Sequence, residues 1–195
     1  MQLTNTGRKK GGPLLTDGPH LYFKEDIGGQ STLVQVAATG GETVPVPTPF
    51  QGQEVIPMDV SPGGSELLVG TRTAGEAEVP LCILPILGGS PRRVGDVLVG
   101  LVGSAAWSPD GQKIVCARGK NLYVVNSDGT DSRKLLALNG WPGDVRWSLD
   151  GKGLRFGLAA PHGQAVAIWE VAADGSNLHQ LLPGWNNPPS EWGGV

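Results

Sequence analysis

Four short turns punctuate this chain at a nearly even spacing. The clearest is Trp107-Ser108-Pro109-Asp110-Gly111. Weaker copies stand at Leu14-Leu15-Thr16-Asp17-Gly18, Val60-Ser61-Pro62-Gly63-Gly64 and Trp147-Ser148-Leu149-Asp150-Gly151. Measured from the last Gly of each, at 18, 64, 111 and 151, the steps are 46, 47 and 40 residues. A period of that length restricts the chain to a repeat architecture, in which each unit buries its faces only by leaning on its neighbours.

The turn residues say what each unit is made of. Pro109 presets φ for the second position of a tight turn, Asp110 can accept from nearby backbone, and Gly111 takes the left-handed conformation that starts the chain back. Asp150 and Gly151, Asp17 and Gly18, and Gly64 repeat parts of that role. Apolar runs follow each copy at Leu21-Tyr22-Phe23, Leu67-Leu68-Val69, Ile114-Val115-Cys116 and Leu154-Arg155-Phe156. The apolar residues in front (Leu14, Val60, Trp107, Trp147) are expected to end the incoming strand, giving strand, turn, strand each time.

A second mark stays in phase with the first. Small-residue turns at Thr39-Gly40-Gly41, Leu87-Gly88-Gly89, Asp128-Gly129-Thr130 and Asp174-Gly175-Ser176 each follow a β-rich run (33–36, 81–86, 122–125, 167–171). Each precedes another short candidate strand (43–46, 92–94, 133–136, 179–182). Two hairpins per period predict a four-stranded antiparallel meander. The expected fold is therefore all-β, a β-propeller arc of about four four-stranded blades, part of a larger ring of six or more. Closure on four blades is the alternative.

The blades are expected at 12–49, 50–97, 98–139 and 140–184. Residues 1–11, with Gln2-Leu3-Thr4, read as the last strand of a preceding blade, and 185–195 as the start of a following one. The run Val44-Pro45-Val46-Pro47 reads as an outer edge strand, because proline cannot donate into a central ladder. Thr71 to Val79 reads as a long projecting loop. An open arc of this kind would leave two blade faces lined with residues meant for an interior, which favours self-association.

Composition excludes several classes. With 31 Gly and 16 Pro the chain suits short strands rather than long helices. No run approaches the ~20 apolar residues of a spanning helix, and Met1 to Gly12 has no apolar core for a signal peptide. Net charge is −3, and the only basic clusters are Arg8-Lys9-Lys10 and Arg92-Arg93. That is no stripe for nucleic acid, so none is expected to bind this segment. Cys82 and Cys116 both sit inside apolar strand runs and read as buried, inert thiols.

At the quoted turns, Ile114-Val115 and Asn126-Ser127-Asp128-Gly129-Thr130 the chain resembles the WD-like propeller repeat of the bacterial TolB family. The same repeat occurs in the propellers of prolyl-oligopeptidase-type enzymes. The runs 40–44, 84–93 and 181–189 also resemble the C-terminal propeller of bacterial winged-helix transcriptional regulators. Repeat two departs with Gly63 in place of the Asp, and repeat four with Leu149 in place of the Pro. The resemblance implies a sensory or docking module with a periplasmic setting, whereas a chain outside those families would be cytoplasmic.

No catalytic constellation stands out. There is no Gly-x-Ser-x-Gly nucleophile elbow, no phosphate-cradling loop, and His20, His162 and His179 are isolated. Asn126 to Asp131 is half a calcium loop without its distal Glu and reads as a plain hairpin. No cofactor, metal or catalytic residue is assigned. Trp107 and Trp147 hold equivalent places and are expected to pack between blades. Trp141, Trp185 and Trp192 lie near the joins between repeats and are the candidates for touching a partner.

The function expected is a non-catalytic protein-interaction or sensory module with a protein or peptide partner. The remaining blades of a parent chain, or a second copy on an open face, are further partners. The alternatives are the gating propeller of a prolyl-oligopeptidase-type peptidase and a small-ligand, lectin-like four-bladed propeller.

Overall fold

The computed structural model describes residues 3–100, 105–160 and 166–183. Blade one holds β1 (Lys10–Thr16), β2 (His20–Ile27), β3 (Gln30–Ala37) and β4 (Val44–Pro45). Blade two holds β5 (Glu54–Val60), β6 (Glu66–Arg72), β7 (Glu78–Pro85) and β8 (Arg92–Gly100). Blade three holds β9 (Ala105–Trp107), β10 (Lys113–Arg118), β11 (Asn121–Asn126) and β12 (Arg133–Ala137). Blade four holds β13 (Trp141–Trp147), β14 (Gly153–Ala159), β15 (Val166–Ala172) and β16 (His179–Gln180). Each blade is a four-stranded antiparallel meander in sequence order, and together they form a propeller. No helix among the described residues is long and apolar enough to cross a membrane.

Alternation along the strands builds the core between blades, because successive side chains face opposite sides of a sheet. Tyr22 and Leu33 of blade one meet Leu67, Val69 and Leu84 of blade two. The other face of blade two sends Leu68, Leu81 and Ile83 against Trp107, Ile114 and Cys116 of blade three. Val115, Leu122 and Val124 then meet Val145, Leu154 and Phe156 of blade four. Trp107 is thus buried between blades, and the indole N–H of Trp147 reaches back to the Ala106 carbonyl at 3.3 Å.

The recurring turns share one geometry in three blades. Ser61, Ser108 and Ser148 each donate their N–H across the turn, to Glu66, Lys113 and Gly153. Gly64, Gly111 and Gly151 each donate back to the carbonyl of that Ser at 2.8, 2.8 and 2.9 Å, with φ of 67°, 70° and 69°. The hydroxyls of Ser108 and Ser148 also donate to Asp110 and Asp150, whose same oxygens accept the N–H two residues on. The turns stack at one end of the propeller: a Cβ on Gly64 would touch Asp17, one on Gly111 Pro62, and one on Gly151 Pro109.

Several expectations need correction. In blade one Thr16 pairs with Leu21, so its loop is 17–20, whereas Val60–Leu67, Trp107–Ile114 and Trp147–Leu154 enclose six residues. Thr16, not Leu14, therefore ends the incoming strand, and Leu14 points to solvent while Leu15 is buried. The loop expected over Thr71 to Val79 shrinks to 73–77, because Thr71 pairs with Val55 and Val79 with Val99. The joins expected at 11/12 and 97/98 fall inside β1 and β8; Val94, Val97 and Val99 are all buried and hold β8 together.

Leu3 and Thr4 lie in no strand, and Gln2 lies outside the described residues. The segment 3–9 instead lies along the outward face of blade one, where Thr6 and Arg8 reach Glu25, on the side of the sheet that also carries Phe23, Val34 and Val36. The Leu3 carbonyl accepts from Gly41 at 3.1 Å and that of Lys9 from Asp26 at 2.9 Å. Between those pins Glu25, 1% exposed, accepts from the hydroxyls of Thr6 and Thr43 and pairs with Lys10 (3.3 Å) and Arg8 (3.4 Å). Burial alone would push this carboxyl up, but the hydrogen bonds from Thr6, Thr43 and Lys10, with the Lys10 charge, bring it down to about 2.

Candidate functional site: the end opposite the stacked turns

At the end of the propeller away from the stacked turns, the second strands finish and the first strands begin. Each junction between consecutive blades carries a cation there. Lys24 of β2 reaches across to Glu54 of β5 at 2.6 Å, and Arg72 of β6 binds the other Glu54 oxygen. Arg118 of β10 reaches Glu78 of β7 at 2.9 Å. At the third junction Lys120, in the tight turn between β10 and β11, places its ammonium 4.7 Å from the ring centre of Trp141, the first residue of β13. Two junctions are closed by carboxylates and the third by an aromatic face.

Electrostatics follow the partners. The Lys24 hydrogen bond, helped by both cations and opposed by burial, holds Glu54 below the usual carboxylate range. The Glu78 hydrogen bond raises Arg118 further. These pairs are internally satisfied. Trp141 is 47% exposed, and an indole so placed offers apolar area and a donor to a partner.

Of the three tryptophans expected to touch a partner, Trp141 is placed at this end; Trp185 and Trp192 lie outside the described residues, as does His162. The turn residues Asp17, Gly18, Gly64, Pro109, Asp110, Gly111, Asp150 and Gly151 gather at the opposite end. Lys120 and the two ion-paired junctions escaped the sequence reading. Their one signal was that Arg72 and Arg118 both close the second strand of their blade.

Other candidate groups are tied into the fold. Asp17 accepts from the Tyr22 hydroxyl at 2.8 Å and the His20 N–H at 2.6 Å. Against burial, these bonds and the His20 ring hold Asp17 low, and burial with the Asp17 contact pushes the Tyr22 hydroxyl far up. Asp128 spends its Oδ1 on the N–H and hydroxyl of Thr130, closing a plain hairpin. Cys82 and Cys116 are free and buried, and burial pushes the Cys116 thiol up to about 12. Among the described residues no group of three or more His, Cys, Asp or Glu could hold a metal ion.

No family model and no curated protein matches the sequence. Solved structures do. A TolB-type protein from Agrobacterium tumefaciens superposes with TM-score 0.71 and 17% identity, over 85% of this chain and 62% of that one. The fold is that of a TolB-like β-propeller. TolB from Acinetobacter baumannii gives TM-score 0.69 and 15% identity, over 91% of this chain and 44% of that one. Oligogalacturonate lyase from Vibrio parahaemolyticus gives 0.65 and 15%, over 91% and 54%. The chain thus spans less than two thirds of each of these proteins. None of the three is a winged-helix regulator, so that narrower likeness rests on the quoted runs alone.

Proposed function

We propose that this TolB-like propeller is a protein-interaction module that receives a protein or peptide partner at the end carrying Trp141. The observation that supports this reading is the half-exposed Trp141 with Lys120 over its ring, beside two junctions whose charges are already satisfied. Large aromatic side chains of this kind, tryptophan above all, are among the few residues that carry most of the binding energy at protein interfaces.

Affinity capture with the wild-type chain and with Trp141→Ala and Lys120→Glu side by side tests the site. A partner retained by the wild type and lost by both variants, at unchanged melting temperature, is the expected outcome. Equal capture by all three would sink the assignment. A second reading, an anionic sugar stacked on Trp141 and paired with Lys120, draws on the likeness to a lyase of oligogalacturonate. Oligogalacturonate raising the melting temperature of the wild type and not of Trp141→Ala would favour it over a peptide.

A further inference from the structure

We infer that the outward face of blade four is a self-recognition surface, on which a second copy of this chain docks about a two-fold axis by exchanging the Arg155–Glu170 ion pair. The inference stands on a different face from the Trp141 site and does not depend on it.

Hairpin register makes the blades comparable position by position. Leu67, Ile114 and Leu154 all pair with the residue ending the first strand of their blade. One step further on, Leu68 of blade two and Val115 of blade three are fully buried against the next blade, and the position in blade four is Arg155. On the third strand the corresponding residues are Ile83, Val124 and Glu170. The apolar pair that blades two and three turn to their successors is thus a charged one on the same sheet face of blade four.

Among the described residues the replacement leaves a polar surface. Arg155 Nε donates to Glu170 Oε2 at 2.6 Å, and His179 Nε2 stands 3.9 Å from Glu170 Oε1. The Arg155 side chain is 51% exposed. Beside the pair lies a shallow cavity of about 290 Å³, reached past Ser148, Lys152 and Asn177. Towards the other end of the same face, Val166, 39% exposed, adds apolar area, with its side chain lying over Gly157.

The charges choose the occupant. A face of one sign calls for an unlike partner of the other sign, whereas this one carries a cation and an anion side by side. Turned about a two-fold axis, an identical face sets Glu170 opposite Arg155 and Arg155 opposite Glu170, the self-complementarity an isologous contact requires. Blade one offers no equivalent, since segment 3–9 already crosses its outward face.

Sedimentation of the whole chain over a range of concentrations reads the outcome, with circular dichroism confirming that each variant is folded. The wild type is expected to form dimers. Arg155→Glu or Glu170→Arg alone sets like charges together and is expected to weaken dimerisation about tenfold or more. The double swap, Arg155→Glu with Glu170→Arg, restores opposite signs and is expected to restore it. A wild type that stays monomeric throughout overturns the inference. So does dimerisation that neither single variant weakens, or a double swap that fails to recover it.

Discussion

Glu25 is the residue at which this fold takes its largest local risk, a carboxylate shut away from water and answered by Thr6 and Arg8 of the crossing segment together with Lys10 and Thr43. Its folded value of about 2 lies below the ordinary 4.5, so the ionised form is the one the folded state favours. The stabilisation is therefore complete above pH 4.5 and is lost as pH falls from there towards 2. Glu25→Gln is expected to flatten the acid limb of a melting-temperature profile over that window, and Glu25→Ala to cost roughly 1–3 kcal/mol in urea unfolding. The cysteines make the opposite prediction. With both thiols buried and Cys116 raised to about 12, neither should react with a disulfide reagent until the chain unfolds, when both should.

Among elements, the outer turns decide how tightly one blade approaches the next. A Cβ on Gly129 would lie 2.3 Å from the Gly95 nitrogen of β8, and Gly129 also has φ of 91°. Gly129→Ala should cost about 3 kcal/mol by thermal or urea unfolding, from strained backbone and backbone collision together. Gly119→Ala, at φ 54° with open space around it, should cost only the conformational part, about 1–2 kcal/mol. Equal losses at the two sites would remove the packing argument. Gly175 against Leu135, and Gly40 against Leu3, repeat the same approach. Leu3 therefore stands to blade one as β12 stands to blade four, although it forms no ladder.

That comparison shows what could be read beforehand. The period, the Ser-Pro-Asp-Gly chemistry and the proline-bearing edge at β4 are local properties, and the strands followed from them. The register of blade one was not, because Leu14-Leu15-Thr16-Asp17-Gly18 matches the other copies in spacing while its loop closes two residues shorter. Segment 3–9 looked like a strand by its side chains, yet strand formation needs a neighbour that side chains do not encode. At the candidate site Trp141 was legible as an aromatic near a join. Lys120 was not, since its role depends on which turn the third junction brings over the ring.

For the whole molecule, stability follows the order of stacking. Among the described residues, the extensive strand contacts link blade one to two, two to three and three to four. Blades two and three are apolar on both faces, so their central strands β6, β7, β10 and β11 should hold the slowest-exchanging amides. Exchange that is uniform across the four blades would contradict this. Phe156→Ala, removing a fully buried ring between blades three and four, should cost about 3–5 kcal/mol and expose β14 and β15 first.

The seating of Gly64 on Asp17, Gly111 on Pro62 and Gly151 on Pro109 behaves like the thread of a screw. It sets how far each sheet advances about the axis. An inserted residue in one of the three six-residue bends should unseat it from the bend before it, while the stretch at 73–77 sits off the thread and can lengthen at little cost. Variation in length among chains of this design should therefore accumulate at the Trp141 end, where recognition can change while the pitch stays fixed.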